Sequence, residues 1–154
     1  MRPINFLSHP VGSIAGSISV PGDKSISHRS LILGAIAKGT TRVSGFLDGA
    51  DCLATLKALK SMGLVIEGPD KQSVVIHGAG RQGLRKPDSS IDCGNSGTSM
   101  RLLAGLLAAQ NFDSQLTGDD SLLKRPMLRI SKPLTQMGAD ISTSEGRPPL
   151  YIKG

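Results

Sequence analysis

The chain has 154 residues, with 18 Lys and Arg against 12 Asp and Glu for a formal net charge of +6, 19 glycines, three Phe, one Tyr and no Trp. No apolar run exceeds Leu102–Ala109, far below the ~20 residues that span a bilayer; the opening MRPINFLSHP has no secretory apolar core; and Cys52 and Cys93 are too few for a disulfide scaffold, so neither a membrane nor a secreted disulfide-rich protein is expected and a reducing cytoplasm is the simplest setting. The basic residues are scattered and the aromatic platforms of single-strand binders are missing, so no nucleic-acid partner is expected, and the charge points to small anionic substrates or serves solubility.

In chain order, Gly16–Val20 alternates apolar and polar residues and reads as a half-buried strand, broken by Pro21-Gly22-Asp23. A helix is expected from about Ser27 to Lys38, carrying Leu31, Leu33, Ala35 and Ile36 and stopping at Gly39. A strand follows near Thr41–Phe46. A second helix spans about Ala50–Met62, with Leu53, Leu56 and Leu59 at helical spacing and Gly63 as its stop. Strands Leu64–Glu67 and Ser73–His77 flank an expected turn at Gly68-Pro69-Asp70-Lys71. Residues 79–89 read as a linker. Further on, Pro126 suits the first turn of a helix, and Pro133 should kink or restart it.

The second half repeats the first. LKALKSMGLVIEGPDKQSVVIHG (Leu56–Gly78) and SKPLTQMGADISTSEGRPPLYIKG (Ser131–Gly154) share a helix ending in Met-Gly followed by a strand, a turn and a strand. VPGDKSISHRSLILGAIA aligns with DCGNSGTSMRLLAGLLAA, placing Gly22 on Gly94 and Arg29 on Arg101, and Gly45 falls on Gly118. Four matches in one order, at an offset drifting from 72 to 76 residues, define a repeat of the form strand, helix, strand, helix, strand, strand. The domain reading is residues 1–15 as an N-terminal segment, 16–78 as the first βαβαββ unit, 79–89 as the linker and 90–154 as the second unit. One unit cannot easily bury both faces of its sheet, whereas two or more packed together can, with the helices inside. The fold class is therefore α/β, built of repeats, and not a Rossmann fold, since GxGxxG is absent.

Three polar loops each join a strand to a helix. In the first, Lys24, Ser25 and Arg29 stand where unpaired backbone N–H groups and the helix dipole favour an anion; Lys24 adds a mobile charge and Arg29 can grip a carboxylate bidentately. The other reading is a helix capped by Ser25 or Ser27, with both cations in solvent. In the second loop, Gly97 lets a ligand approach the backbone because no Cβ intervenes, while Asn95 and Thr98 orient a ligand or cap the helix, and Arg101 reads as structural or superficial. In the third, Arg125 precedes Pro126 and is held extended; the other reading is a solvated Lys-Arg pair at a turn. Asp51 either caps its helix or pairs with a loop residue. Cys52 and Cys93 read as buried thiols, and neither they nor His9, His28 and His77 make a metal spacing, so no metal is expected.

Gly22-Asp23-Lys24-Ser25-Ile26-Ser27-His28-Arg29, Gly94-Asn95-Ser96-Gly97-Thr98 and Leu123-Lys124-Arg125-Pro126-Met127 resemble three signature segments of the 5-enolpyruvylshikimate-3-phosphate synthase family, in family order. The related UDP-N-acetylglucosamine enolpyruvyl transferases carry a Lys-Asn loop in the first place, and RNA 3′-phosphate cyclases share the repeated fold without these motifs. The resemblance implies an inside-out α/β barrel of βαβαββ units. It implies attack of the shikimate 3-phosphate 5-hydroxyl on C2 of phosphoenolpyruvate, protonation at C3 and loss of phosphate, with no metal or organic cofactor. Carried over, Lys24 touches both substrates, Ser25 and Arg29 hold shikimate 3-phosphate, and Gly97 and Arg125 hold phosphoenolpyruvate, where the inhibitor glyphosate also sits. Beside these, the local sequence offers Asp51, Asn95 and Thr98 as candidate supports.

Family members have two lobes of three units each, so the resemblance implies an N-terminal fragment with two units of one lobe. Residues 1–15 would join the missing lobe, the chain alone would be inactive, and the uncovered face would favour homo-oligomers. The alternative function is a non-catalytic fold module with its loops empty.

Overall fold

The computed structural model describes residues 4–154. Five helices and seven strands follow in order: α1 Lys24–Ile36, β1 Lys38–Ser44, α2 Ala50–Ser61, β2 Val65–Asp70, β3 Ser73–Ala79, β4 Ile91–Asp92, α3 Gly97–Leu107, β5 Ser114–Thr117, α4 Asp120–Leu123, α5 Leu128–Gln136, β6 Asp140–Ser144 and β7 Arg147–Lys153. One sheet has the order β1-β3-β2 and the other β4-β5-β7-β6. The order β5-β7-β6 reproduces β1-β3-β2, and every pair in those two sets is antiparallel.

Each sheet has one wet and one dry face, as its alternating sequence requires. Val74 and Ile76 of β3, and Leu150 and Ile152 of β7, point inward and are buried. Helix α1 packs on β3, α2 on β2, and α3 on β5 and β7. The two halves meet where α2 packs on α3. Leu31, Leu56, Leu59, Ile76, Leu103, Leu107, Leu116 and Leu150 thus belong to one continuous core, with the helices on the inner sides of the sheets.

The repeat extends to backbone contacts. A Cβ on Gly22 would overlap the Gly45 carbonyl oxygen, and one on Gly118 would come within 2.5 Å of the Gly94 carbonyl oxygen. The same close approach of loop and strand end is therefore built twice, with the small residue on opposite partners. Met62 and Met137 are the C-caps of α2 and α5, and each is followed by a glycine at positive φ, Gly63 at 84° and Gly138 at 101°.

Several expectations are corrected. Gly16–Val20 forms no strand: Ile14, Ile18 and Val20 are exposed and find no sheet surface to cover, so alternation alone does not create pairing. In the second unit the corresponding place is β4, which is only two residues long and lies parallel to β5. Helix α1 starts at Lys24, three residues early, because Asp23 is the cap: its carboxylate accepts the Ile26 N–H at 2.7 Å. The helix ends at Ile36, Gly39 lies in β1, and Leu33 is 62% exposed, off the buried stripe of Leu31 and Ala35. The β2–β3 turn is Lys71-Gln72, both at positive φ, as a tight hairpin turn needs, while Gly68-Pro69 is absorbed in a register shift within β2. Pro126 lies one residue before the Met127 N-cap, and Pro133 sits inside a continuous α5. Ile130 and Leu134 pack that helix onto the core, which offsets the donor that Pro133 lacks.

Candidate functional site

Lys24 is the first residue of α1, Asp51 the second of α2 and Ser99 the third of α3. Lys24 Nζ stands 2.9 Å from Asp51 Oδ2, and the Ser99 hydroxyl donates to the Asp51 backbone carbonyl at 3.0 Å. Three helix N-termini therefore converge at one end of the protein. Their unpaired N–H groups and aligned dipoles make that end attractive to anions. Asp51 does not cap its helix, whose N-cap is Gly49; it pairs with Lys24.

The first loop is built around Asp23 and Ser27. The Ser27 hydroxyl donates to the Asp23 carbonyl at 2.8 Å and accepts the Leu47 N–H at 2.9 Å, pinning the start of α1 to the end of β1. Neither Ser25 nor Ser27 caps the helix. Ser25 is left exposed, and Arg29 folds back so that Nη1 donates to the Ser25 carbonyl at 3.1 Å. Lys24, Ser25 and Arg29 thus share one solvent-facing corner.

In the second loop Ser96, not Asn95 or Thr98, caps α3 by accepting the Ser99 N–H at 3.1 Å. Asn95 is instead a bridge. Its amide donates to Asp119 Oδ2 at 2.8 Å, and its carbonyl oxygen accepts from Arg125 Nη2. The Asn95 amide, and after it the Leu122 N–H, hold the Asp119 carboxyl below its ordinary value. Arg125 is half-buried rather than free in solvent, with Ser121 Oγ 3.4 Å away. Thr98 is half-buried in the first turn beside Gly97.

Arg101, which reads as structural or superficial from sequence, stands beside the start of α3. A Cβ built on Gly97 would lie 2.9 Å from Arg101 Nη1 and 3.4 Å from Arg125 Nη1, so two guanidiniums flank the bare Cα of the first residue of α3. Burial, then the neighbouring Arg129 and Arg125, lower the pKa of Arg101. The signal available was its place one helical turn after Gly97. Cations crowded together at a helix N-terminus call for an anion.

The two thiols are buried, as expected, and burial pushes Cys93 up to about 12, so it is no nucleophile. The described residues hold no group of three His, Cys, Asp or Glu placed to bind a metal. A hollow of about 390 Å³ runs along the linker and β7 near Lys86 and Lys153, on a different surface from the loops. A smaller one of about 200 Å³ lies between Asp51 and Lys57 on one side and the Asp92–Asn95 loop on the other.

His28 is fully buried, and burial is the largest cause of its lowered pKa, ahead of the raising effect of Asp51 and the lowering effects of Lys24 and Arg29. The folded state therefore favours neutral His28. Above the ordinary value of 6.5 folded and unfolded chains bind the same protons there, and as pH falls below it the unfolded chain binds more. Stability is expected to drop between about pH 7.5 and 5.5, and the drop should be smaller in His28→Asn. Melting temperatures of both proteins across that range check this; parallel profiles would contradict it.

The chain matches the family described as EPSP synthase (3-phosphoshikimate 1-carboxyvinyltransferase) over residues 9–154. It is 72% identical over 151 residues to a 3-phosphoshikimate 1-carboxyvinyltransferase of Legionella pneumophila (strain Lens), covering 98% of this chain and 35% of the relative. It is 60% identical over 150 residues to that of Hydrogenovibrio crunogenus, covering 97% and 34%. A solved EPSP synthase of Acinetobacter baumannii superposes with a TM-score of 0.87 at 60% identity, covering 90% of this chain and 32% of that one. The chain spans about a third of the length of these relatives.

Proposed function

Because the chain belongs to the EPSP synthase family, we propose that its converging helix starts form part of a site that gathers shikimate 3-phosphate and phosphoenolpyruvate for enolpyruvyl transfer to the 5-hydroxyl. The observation that carries this reading is the placement of Lys24 at one helix N-terminus and of Gly97, flanked by Arg101 and Arg125, at another, tied together through Asp51. Both substrates are polyanions, and fixed cations and backbone N–H groups bind such charge without reorganising.

In this reading Lys24 stands between the substrates. Asp51 holds its ammonium ready, and an incoming phosphate or carboxylate competes for it. Ser25 and Arg29 take shikimate 3-phosphate, the hydroxyl as a donor and the guanidinium as a fork. The α3 N-terminus at Gly97 and the Arg125 guanidinium take the smaller phosphoenolpyruvate. Asn95 orients Arg125, and Thr98 completes the first turn. Holding the 5-hydroxyl near C2 of phosphoenolpyruvate is the chief contribution these residues make, since orientation converts a bimolecular step into an effectively unimolecular one.

Lys24 is half-exposed. Contacts between charges open to water are worth about 1 kcal/mol or less, and efficient transfer needs them desolvated. The 154-residue chain is therefore expected to release no measurable phosphate alone. Mixed with the remaining two-thirds of the Legionella relative, it should release phosphate from phosphoenolpyruvate only when shikimate 3-phosphate is present, and Lys24→Ala should abolish that release. Release that survives Lys24→Ala contradicts the assignment.

The proposed partners extend to the rest of the enzyme. Ile4, Phe6, Leu7, Val11 and Ile14 are exposed, which supports residues 1–15 joining a second lobe; residues 1–3 of that segment lie outside the described range. An apolar groove of about 360 Å³ between α1 and α3, lined by Ile32, Ile36, Leu102 and Leu106, supports self-association of the chain at high concentration. No described helix is long and apolar enough to cross a membrane; a cytoplasmic setting remains part of the proposal.

A further inference from the structure

A chain of buried polar side chains crosses the junction between the two units. His28 Nδ1 lies 2.9 Å from Thr55 Oγ1, and Thr55 donates to Ser99 Oγ at 2.8 Å. Ser99 Oγ lies 2.7 Å from Ser96 Oγ and 3.0 Å from the Asp51 carbonyl. All four side chains are at most 1% exposed, with His28, Thr55 and Ser99 at 0%. Since the Thr55 hydrogen goes to Ser99, Thr55 must accept from His28, which fixes His28 as the Nδ1–H tautomer. Its Nε2 is then a buried acceptor with no protein partner. Such a group costs stability. Packing alone would be served better by an apolar side chain in the same space.

The geometry suggests what offsets that cost. Lys24 and His28 are four residues apart on α1, and Asp51 and Thr55 are four apart on α2, so each pair shares a helix face. They meet as two rungs, Lys24–Asp51 outside and His28–Thr55 inside, and Ser99 ties both the Asp51 carbonyl and the Thr55 hydroxyl to α3. Apolar contacts permit neighbouring helices to slide, whereas directional hydrogen bonds select one offset. The inner rung is dry, so it keeps its strength; the outer rung is half-exposed. Ser96, at the far end, is the residue that caps α3 and sets the position of Gly97.

We infer that His28, Thr55 and Ser99 are positioning residues whose hydrogen-bonded chain sets the offset between the helix start at Lys24 and the helix start at Gly97. Their importance for substrates rests on the two-anion reading above; the coupling itself is a property of the ligand-free chain. None of the three touches a substrate in that reading. They fix the spacing at which two anions would be held.

The test uses amide resonances of the ligand-free 154-residue chain. Thr55→Val keeps the volume and removes the hydroxyl. It should move the amide signals of both Ser25 and Gly97, and Thr55→Ser should return both toward wild type. Signals of the β6–β7 hairpin should stay in place in both variants. If Thr55→Val gives no dispersed spectrum, Ser99→Ala carries the same test, because it should move Ser25 across the intervening helix α2. Unmoved Ser25 and Gly97, or failure of Thr55→Ser to restore them, overturns the inference. Adding phosphoenolpyruvate to the wild-type chain is a separate measurement. If it moves neither Gly97 nor Arg125, the anion-site reading fails while the positioning result stands as measured.

Discussion

In the chain combined with the remaining two-thirds of the Legionella relative, Gly97→Ala should weaken phosphoenolpyruvate binding by about tenfold, or roughly 1.4 kcal/mol, and leave shikimate 3-phosphate binding and the melting temperature nearly unchanged. Gly97 opens α3 with no positive φ, so alanine fits its backbone and is the better helix former. The new methyl would stand 2.9 Å from Arg101 Nη1 and 3.4 Å from Arg125 Nη1. Those are the ends of long side chains, which can swing aside and spare the fold. What is lost is the arrangement of two guanidiniums around a bare Cα, together with the close backbone approach available to the smaller substrate. Calorimetric titrations of the variant with each substrate, beside its melting curve, check this. Equal losses for both substrates, or a large fall in melting temperature, would mean that Gly97 serves the fold instead.

Gly22→Ala should do the reverse, destabilising the chain by about 3 kcal/mol or more and disturbing both substrates through the fold. The added Cβ would overlap the Gly45 carbonyl oxygen and lie 2.9 Å from the Gly45 carbonyl carbon and 3.2 Å from the Leu47 nitrogen. All three are backbone atoms, so no rotamer relieves the clash. Gly94, its counterpart in the repeat, has open space around its Cα and a φ of 55°. Gly94→Ala meets only backbone strain, of the order of 1–2 kcal/mol. Urea midpoints should therefore rank wild type above Gly94→Ala above Gly22→Ala. The opposite order of the two variants would contradict the reading of these contacts.

The sequence made the repeat and the glycine-bearing loops legible because both are local. Met-Gly at the end of a helix, or a polar loop before an apolar stripe, is visible within a few residues. Sequence alone sets the α1 start three residues late because Asp23, Ser25 and Ser27 are all capable caps, and only the tertiary bond from Leu47 shows that Ser27 is engaged elsewhere. Gly16–Val20 failed as a strand because pairing depends on a partner, which alternation cannot report. The hydroxyl chain was invisible for a related reason. His28 and Thr55 are 27 residues apart, Thr55 and Ser99 are 44 apart, and each is an unremarkable helix residue until α1, α2 and α3 are packed. Arg101, one turn beyond Gly97, reads as structural or superficial from sequence, and only the approach of Arg125 shows it beside the helix start.

The most direct test of the two-anion site is calorimetric titration of shikimate 3-phosphate and of phosphoenolpyruvate into the wild-type chain, Lys24→Ala and Arg125→Ala. Lys24 is assigned to both substrates and Arg125 to phosphoenolpyruvate alone. The account predicts that Lys24→Ala weakens both ligands, whereas Arg125→Ala weakens phosphoenolpyruvate and leaves shikimate 3-phosphate as in wild type. Identical titrations for all three proteins would contradict it, and so would a loss of shikimate 3-phosphate binding in Arg125→Ala equal to that in Lys24→Ala.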